Sequence, residues 1–573
     1  MTTRIADSEK SADEVLTGLA AAEAVWARTG PAQRRDLLNR VGDLVARHAD
    51  EWIAAAVRIK GLEAGSPLVG EEWISGPWAV VGSARALAAT HDRIARGEDP
   101  LGGAELRPAP GGRIAVPALP ASNYDRLLLS GFSADVWMRP GVTAAEIRDE
   151  AGLAARDTTH TRGTTLVLGA GNIFSIAPLD VLYALHADNR VVVLKLNPVT
   201  DPLLQVFRKV LAPYTELGVL EIVTGGAGTG SAYAYDPRVT SVHMTGSEAT
   251  HDAIVWGVGE EGERARAAGT PKLDKPISSE LGGVAPVIVV PGRWSAADLR
   301  FQAQHVATQR LHNSGANCIA AQVVLVSADW PQKDAFLAEL RRALDEAPAR
   351  PVWYPGGTDR VAAARDTHGD RATSLGPASE RLLIQDLDAG DADEPAFRTE
   401  YFAPVLTVAE LPGEGSDFLA EAVRTANDGL RGTLGANIVI HPATLRALGP
   451  FFDEQLAELR YGTIGVNAWT GVGYLTPHAT WGAFPGHPLE DIQSGRGVVH
   501  NAFLLAQVER TVVRGPFRAS PRSLFHGEWS LSPKPPWFVS NRTAATTGRR
   551  LTAFQARPRI TALPCIFASA LRG

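Results

Sequence analysis

Short apolar runs alternate with helix-length segments between residues 164 and 290, and this alternation constrains the fold more than any other feature of the chain. TTLVLG, RVVVLKL and VLEIVTG are typical of buried strands, whereas APLDVLYALHA and DPLLQVFRKVLAPY between them are typical of helices. The succession predicts a doubly wound parallel sheet, which the run VAPVIVV closes. A second set of apolar runs predicts a further α/β unit, with strands near 321–326, 381–386, 404–408 and 435–440.

The two ends of the chain differ from this α/β pattern. The first hundred residues predict helices, and a capping box of Ser11 and Glu14 marks the start of the first helix. Residues 104–140 are rich in Pro, Gly and β-forming residues, which predicts short strands and loops. Beyond residue 518 the sequence is rich in Pro and Ser with scattered Trp, and it predicts an irregular tail lying on the body.

Composition bounds the class of protein. The 56 Lys and Arg against 63 Asp and Glu give a net charge of −7, which offers no general case for nucleic-acid binding. Two cysteines, Cys318 and Cys565, cannot form a disulfide framework, so we expect a reducing, cytoplasmic compartment. Residues 1–14 lack the apolar core of a signal peptide, and no apolar run approaches the roughly 20 residues of a membrane span.

Two predicted strand ends carry residues that suit a ligand, because parallel sheets bind ligands at the carboxyl ends of their strands. Thr245, Gly246 and Ser247 follow a strand and open a helix, where free backbone N–H groups favour phosphate. Lys195 ends another strand after four apolar residues. A binding role and a solvated surface charge are equally good interpretations of this lysine.

Cys318 lies in NSGANCIAAQ, a stretch of small and amide residues that runs directly into the apolar segment VVLV. A buried structural cysteine would fit this context. A nucleophile on a tight loop leading into a strand would fit it as well.

A set of motifs in order resembles the aldehyde dehydrogenase superfamily over residues 11–518. SSELGGVAPVIV resembles that family's E-L-G-G-x-x-P motif, NSGANCIAAQ its N-x-G-Q-x-C active-site loop, and EYFAPVLTV its E-x-F-G-P-V-L segment. ADNRVVVLKLNP and TSVHMTGS are similar to its A-G-N-x-V-V-x-K-P-x-E and x-x-x-F-T-G-S segments, and ANDGLRGTLGANI and GTIGVNAW follow in the family's order. Glu280 and Cys318 are 38 residues apart, close to the family's usual interval.

The resemblance implies an α/β fold with a doubly wound parallel-sheet cofactor domain, an α/β catalytic domain and a small β oligomerisation flap. The implied segments are 1–103, N-terminal helices of the cofactor-binding domain; 104–160, flap or oligomerisation elements; 161–283, dinucleotide-binding domain; 284–475, catalytic domain; 476–518, return to the cofactor domain and C-terminal oligomerisation strand; and 519–573, an extra C-terminal tail.

The resemblance also implies NAD(P)-dependent oxidation of an aldehyde to a carboxylic acid, with no metal site. Cys318 is then the nucleophile, because its thiolate adduct with the carbonyl can release a hydride that a free aldehyde cannot readily release. Asn172 in GAGNIF stands where the family has an oxyanion donor. Glu280 is the implied base that activates water for hydrolysis of the resulting thioester.

The cofactor is implied to be NAD or NADP. Departures from the family pattern concern this site: Pro198 replaces a glutamate that grips the adenosine ribose, His251 a helix glycine, and Ala403 the glycine of E-x-F-G-P. Without the glutamate, we expect NADP to be accepted at least as well as NAD. The implied cofactor contacts are Lys195, Thr245, Gly246, Ser247, Glu400 and Phe402.

Two other functions stay open. A CoA-linked acylating dehydrogenase or acyl-CoA reductase would let CoA rather than water meet the thioester, and GAGN in place of the family's P-W-N leaves this possible. Retention of Glu280 favours hydrolysis, since thiolysis needs no such base. A degenerate dehydrogenase kept as a binding or scaffold protein is the third interpretation; Pro198 and His251 support it, and the intact Cys318 and Glu280 count against it.

The expected partners are a small aldehyde and further copies of the chain. VERTVVRGPF, at 508–517, has the β-branched character of a strand that the family uses in its subunit interface. An unpaired strand of this kind exposes backbone groups, which predicts a dimer or tetramer. The tail carries Trp529, Trp537, Phe538 and Phe554, so we expect it to pack on its own subunit or a neighbour.

Overall fold

A computed structural model describes residues 10–573; the first nine residues, on which the expectation of no signal peptide partly rests, lie outside this range. The strands in chain order are β1 (Arg107–Ala109), β2 (Arg113–Leu119), β3 (Ser133–Met138), β4 (Thr164–Leu168), β5 (Val191–Lys195), β6 (Leu220–Val223), β7 (Val239–Gly246), β8 (Ile277–Leu281), β9 (Ala285–Val289), β10 (Ala321–Ser327), β11 (Ala372–Leu375), β12 (Arg381–Asp388), β13 (Val405–Leu411), β14 (Gly435–Val439), β15 (Thr463–Val466), β16 (Gly495–Arg496) and β17 (Val508–Arg514).

None of the described helices combines the length and the apolar character that crossing a bilayer requires. The α-helices are α1 (Ala12–Arg28), α2 (Pro31–Lys60), α3 (Val69–Trp73), α4 (Ala79–Ala95), α5 (Asn123–Leu128), α6 (Ala144–Glu150), α7 (Ile176–His186), α8 (Leu204–Val210), α9 (Ala212–Thr215), α10 (Ala227–Ala234), α11 (Glu248–Val255), α12 (Gly259–Ala267), α13 (Ala296–Leu311), α14 (Lys333–Glu346), α15 (Gly357–His368), α16 (Pro395–Arg398), α17 (Gly415–Arg424), α18 (Pro442–Leu448), α19 (Pro450–Glu458), α20 (Gly471–Tyr474), α21 (Ala544–Ala556) and α22 (Leu563–Ala570).

The smaller sheet has the strand order β16-β8-β7-β4-β5-β6, and its strands run parallel except for the two-residue β16. This confirms the parallel sheet that the alternation of runs predicts. The single helix expected over DPLLQVFRKVLAPY is wrong. A 3₁₀ turn at Pro198–Leu203 precedes α8, and α9 starts separately, because Pro202 and Pro213 interrupt the helical hydrogen bonds.

The larger sheet has eleven strands in the order β1-β2-β3-β17-β15-β14-β9-β10-β13-β12-β11. Its centre is parallel and its strands are buried on both faces, as expected of a sheet covered by helices. β9, which the sequence attaches to the first alternating stretch, lies in the middle of this second sheet. The chain therefore passes from the small sheet to the large one between β8 and β9, immediately after Glu280.

The strand β17 is paired on both sides within the same chain, in parallel with β15 and antiparallel with β3. The expectation that it needs another subunit to complete its hydrogen bonds is therefore wrong. The reason is that residues 107–138 fold back as β1–β3 and extend the sheet beyond it. Assembly into a dimer or tetramer stays a prediction without this argument.

The tail beyond Arg518 is more regular than its Pro- and Ser-rich composition predicts, since it contains α21 and α22. It packs on its own chain: Phe538 stacks on Phe301 at 5.0 Å between ring centroids, and a Cβ on Gly70 would lie 2.5 Å from Ala544. Trp537, Phe538 and Phe554 are buried, as expected, whereas Trp529 is 77% exposed.

Candidate active site

Cys318 follows a short run of left-handed backbone between α13 and β10. Asn313, Ser314 and Gly315 have φ values of 54°, 56° and 75°. A Cβ on Gly315 would lie 2.5 Å from the carbonyl oxygen of Ala403, so the loop has no room for a side chain there. Consecutive left-handed residues are unfavourable unless their surroundings hold them.

A buried charged cluster, which we define as Lys60, Glu71, Glu72 and Arg350, holds this loop. Nζ of Lys60 donates to Glu72 at 2.7 Å and to Oδ1 of Asn313 at 2.8 Å. The backbone N–H of Asn313 donates to Glu71 at 2.8 Å, and Arg350 donates to the other Glu71 oxygen at 2.8 Å. Although burial opposes its charge, the neighbouring Arg350 lowers the pKa of Glu71. The sequence does not mark this cluster, because Lys60, Glu71 and Glu72 lie in helices without a motif and Arg350 lies in a loop.

Asn172 is buried beside the same loop. Its Nδ2 donates to the carbonyl oxygen of Ala316 at 3.2 Å, and its own carbonyl accepts from Nδ2 of Asn313 at 3.1 Å. An amide carries two N–H donors, so a second donor stays for an oxyanion. Gly171 precedes it because a Cβ there would lie 2.7 Å from the Asn197 side chain, which explains the loss of the family's tryptophan.

Glu280 and Cys318 come together at the junction of the two sheets. Sγ of Cys318 lies 3.9 Å from Oε1 of Glu280, and the indole N–H of Trp481 donates to the same oxygen. Burial, reinforced by the nearby Asp180 carboxyl, raises the pKa of Glu280 to about 7. A carboxyl with this pKa can accept a proton near neutrality.

The thiol of Cys318 is held protonated in this arrangement. Burial, together with the charges of Glu280 and Glu400, raises the pKa of Cys318 well above its ordinary value. Backbone N–H groups of Cys318 and Ile319 near the sulfur oppose that rise, although the Ile319 N–H also donates to Oδ1 of Asn317 at 3.3 Å. Donors in this position also suit an oxyanion that forms on a carbon attached to the sulfur.

Behind Glu280 lies a polar group of Asp180, His243 and Thr245, of which the sequence singled out only Thr245, as a cofactor contact. The Thr245 hydroxyl donates to Oδ2 of Asp180 at 3.1 Å, and Nε2 of His243 lies 3.5 Å from the same oxygen. Burial opposes a charge on His243, but Asp180 raises its pKa overall. Thr245 is paired in register with Glu280 across β7 and β8, which places this group next to the Glu280 carboxylate.

The predicted phosphate-binding turn lies at the surface end of β7. Gly246 and Ser247 are exposed, and Ser247 caps α11 by accepting from the Thr250 N–H at 3.2 Å. Lys195 ends β5, and burial lowers its pKa. His251 is fully buried with Nδ1 3.1 Å from Asp252, so it does not project into an open groove above the helix start.

Glu400 packs over the glycines of the ELGG motif. A Cβ on Gly282 would overlap its carboxylate, and burial raises the pKa of Glu400 to about 8 against the opposing charge of Arg310. Among residues 10–573, Oε1 of Glu400 is buried without a hydrogen-bond partner. A ribose hydroxyl would supply the missing donor. Phe402 beside it adopts a φ of 46° and packs on Tyr354, so these residues fit the implied dinucleotide.

A cavity of about 30 Å³, here called the thiol pocket, opens at Cys318. It has room for a small group, since one water needs at least about 10–15 Å³. The sequence does not mark the aromatic residues that line the thiol pocket, because they come from segments without a motif. The lining residues that matter below are Ile74, Tyr474, Leu475, Trp481 and Trp537.

The sequence predicts no metal site, but Asp298, His441 and His526 offer ligand atoms within 4.8 Å of one another. Arg518 donates to Oδ1 of Asp298 at 2.5 Å, and His526 lies 3.2 Å from the same oxygen. The guanidinium competes with a cation for this carboxylate, so the cluster is already satisfied as an ion pair.

Comparison with known proteins decides the family. The model of the Aldehyde dehydrogenase family matches residues 173–355, a range that contains Glu280 and Cys318. The 3,6-anhydro-alpha-L-galactose dehydrogenase of Streptomyces coelicolor is 26% identical over 339 residues, 59% of this chain and 54% of that protein. Residues 173–355 are an aldehyde dehydrogenase family domain. This confirms the resemblance that the ordered motifs carry.

Other relatives extend the match beyond this domain. The betaine aldehyde dehydrogenase of Cereibacter sphaeroides is 25% identical over 81% of this chain and 82% of its own length. A probable aldehyde dehydrogenase of Streptomyces coelicolor is matched over 62% of its length, so the chain spans between half and two thirds of two curated relatives.

Solved structures confirm the predicted fold. Gamma-glutamyl-gamma-aminobutyraldehyde dehydrogenase from Burkholderia cenocepacia J2315 superposes with a TM-score of 0.58 at 20% identity, covering 87% of each chain. An indole-3-acetaldehyde dehydrogenase complexed with NAD⁺ superposes with a TM-score of 0.57 at 18% identity, covering 87% of this chain and 88% of that one.

Proposed function

We propose that this aldehyde dehydrogenase family member oxidises an aldehyde to a carboxylic acid with NAD or NADP as acceptor. Cys318 carries the substrate as a thiohemiacetal and then as a thioester. The observation that carries the proposal is the approach of the Cys318 thiol to Oε1 of Glu280, 3.9 Å away beside the small thiol pocket.

In the first step Glu280 takes the proton of the Cys318 thiol, and the sulfur adds to the aldehyde carbon. The pKa of Glu280, about 7, suits this transfer near neutrality. The oxyanion is held by the backbone N–H of Cys318 and by the second N–H of Asn172. When bound, the nicotinamide accepts the hydride that leaves the substrate carbon.

Between the two steps Glu280 releases the thiol proton to solvent. In the second step it takes a proton from water, which attacks the thioester; the acid leaves, and that proton passes to the departing Cys318 sulfur. The Trp481 indole N–H orients the carboxylate, because it donates to the oxygen that faces the sulfur. A base this close to the thioester supports hydrolysis over transfer to CoA.

Lys195, Ser247 and Glu400 would hold the dinucleotide, with Phe402 beside the nicotinamide ring. The unpartnered Oε1 of Glu400 among the described residues supports this assignment, and a related fold was solved with NAD⁺. Pro198 is exposed and carries no charge to repel a 2′-phosphate, which supports use of NADP.

The deciding experiment follows NAD(P)H formation over a panel of aldehydes, with and without CoA, and identifies the product. We expect CoA-independent turnover and a free carboxylic acid. A strict requirement for CoA with an acyl-CoA product would overturn the hydrolytic step. If no aldehyde of the panel yields NAD(P)H, the proposed oxidation itself is overturned.

A further inference from the structure

A second cavity, of about 90 Å³, lies next to the thiol pocket; we call it the tail cavity. Ile74, Leu475 and Trp537 line both spaces, so the two cavities meet at these three side chains. Trp537 belongs to the segment beyond Arg518, which the family resemblance does not cover. The tail therefore reaches the edge of the pocket that holds Cys318.

The walls of the tail cavity are mostly apolar and come from four parts of the chain, the first of which supplies Ile74 and Trp78. Leu128 and Phe132 belong to the segment between β2 and β3, and Val472 to α20. The tail supplies Leu551 and Phe554 from α21, and α22 adds Ile566 and Phe567 as the far wall.

The charged side chains in this wall are already engaged. Asp125 accepts from the backbone N–H of Ala121 at 3.0 Å, and Nζ of Lys534 lies 3.2 Å from the Ser540 hydroxyl. A polar or charged substrate group would lose its hydration here without gaining a free partner, whereas an apolar group gains by leaving water.

The tail cavity also connects toward the surface. Trp78, Leu129, Leu475 and Phe554 line both this cavity and a wide open groove next to α4 and β2. The groove and the thiol pocket thus each share walls with the tail cavity.

We propose that the tail completes the substrate channel and selects aldehydes with an apolar chain or ring. The carbonyl lies in the thiol pocket and the apolar part extends past Trp537 into the tail cavity. This inference rests on the proposed function, because it names the substrate class of the same site. It assigns a binding role to residues 533–570, which otherwise only cover the body.

The first test is a series of straight-chain aldehydes from two to ten carbons on the full-length protein. We expect kcat/KM to rise roughly three- to fourfold per methylene, which corresponds to about 0.8 kcal/mol each, until the cavity is filled. A flat series would overturn the inference while leaving the proposed function intact.

The second test fills the cavity. Ala570 lines it and is buried, so Ala570→Phe should lower kcat/KM for octanal at least tenfold and leave acetaldehyde within about twofold. Ala553→Phe adds the same ring on the exposed face of α21, away from the lining, and serves as the matched control. Equal loss for both aldehydes, or for both variants, would overturn the inference.

A third measurement does not depend on turnover. Octanoate, an apolar carboxylate of the product class, should bind the wild-type protein by calorimetry with a negative heat-capacity change, and acetate should not. Ala570→Phe should weaken this binding at least tenfold. Octanoate binding without oxidation of any aldehyde would overturn the proposed function but support apolar binding in the tail cavity. Aldehyde oxidation without octanoate binding would support the proposed function but overturn the binding role of the tail cavity.

Discussion

Sγ of Cys318 lies 3.9 Å from Oε1 of Glu280, although the two residues belong to segments of different sheets and are 38 positions apart. The chain crosses from β8 in the small sheet to β9 in the large one directly after Glu280, and Cys318 immediately precedes β10 beside β9. The pair therefore lies where the sheets meet. A nucleophile and a base at such a junction can act on one substrate carbon from two sides.

The first prediction separates the roles of this pair. Cys318→Ala should abolish aldehyde oxidation, with a loss of roughly a thousandfold or more, while dinucleotide binding persists. Glu280→Gln should slow the first turnover, because no base takes the Cys318 proton, and should then stall as the thioester after one equivalent of NAD(P)H, because no base activates water. Stopped-flow absorbance measures the burst, and Glu263→Gln on the exposed face of α12 is the control. Normal steady-state turnover of Glu280→Gln without CoA would show that the assigned base is wrong.

The second prediction concerns the pH dependence. Glu280 must be ionised to act as a base, so the hydrolytic rate should fall as the pH drops below about 7, the pKa of this carboxyl. Asp180 raises that pKa as a like charge, so Asp180→Asn should move the acidic limb to lower pH. The Trp481 hydrogen bond lowers it, so Trp481→Phe should move the limb to higher pH. Steady-state pH profiles test this; shifts of both variants in the same direction would contradict it.

The third prediction concerns the loop that positions the nucleophile. Asn313→Ala removes the acceptor of Lys60 and Trp353 and the donor to Asn172, and it places alanine at a φ of 54°. We expect a loss of about 2–3 kcal/mol of stability, because a buried charge loses a partner and the backbone is strained. We also expect kcat to fall while the dinucleotide Kd stays unchanged. Denaturant unfolding measures the stability, steady-state kinetics measure kcat and KM, and titration measures the dinucleotide Kd. An unchanged kcat would refute a positioning role.

The fourth prediction concerns the coenzyme. Pro198 starts the 3₁₀ turn after β5, near Lys195, and offers no carboxylate against a 2′-phosphate. NADP should be used at least as well as NAD, and Pro198→Glu should shift the preference toward NAD through repulsion. The ratio of kcat/KM for the two coenzymes gives the answer. A wild-type preference for NAD of more than about a hundredfold, roughly 2.7 kcal/mol, would contradict it.

The fifth prediction concerns the tail. Truncation after Arg518 removes the buried Trp537, Phe538 and Phe554 and uncovers the surfaces of α3 and α4 that α21 covers. Each buried aromatic contributes on the order of 1.5–3 kcal/mol, so we expect a marked loss of thermal stability and solubility. Calorimetry and sedimentation measure both. An unchanged Tm together with an unchanged oligomeric state would show that the tail is dispensable.

The sequence alone determined the elements whose signal is local. Mostly apolar runs identified β4, β5, β10, β13 and β14, because strands buried on both faces are dominated by apolar residues. The ordered motifs also led to Cys318, Glu280, Asn172 and Glu400, since their glycines are required by contacts such as Gly282 against Glu400.

Only the tertiary structure decided which distant residues complete the site. Trp481 reaches Glu280 across 201 residues, and Lys60 reaches Asn313 across 253, so no local pattern marks either pair. β17 pairs within the chain because β1–β3 fold back beside it. α21 forms after the Pro- and Ser-rich stretch, in residues that contain neither Pro nor Ser. Periodicity and motif spacing report the interactions of neighbours along the chain, whereas these contacts depend on how separate elements pack against one another.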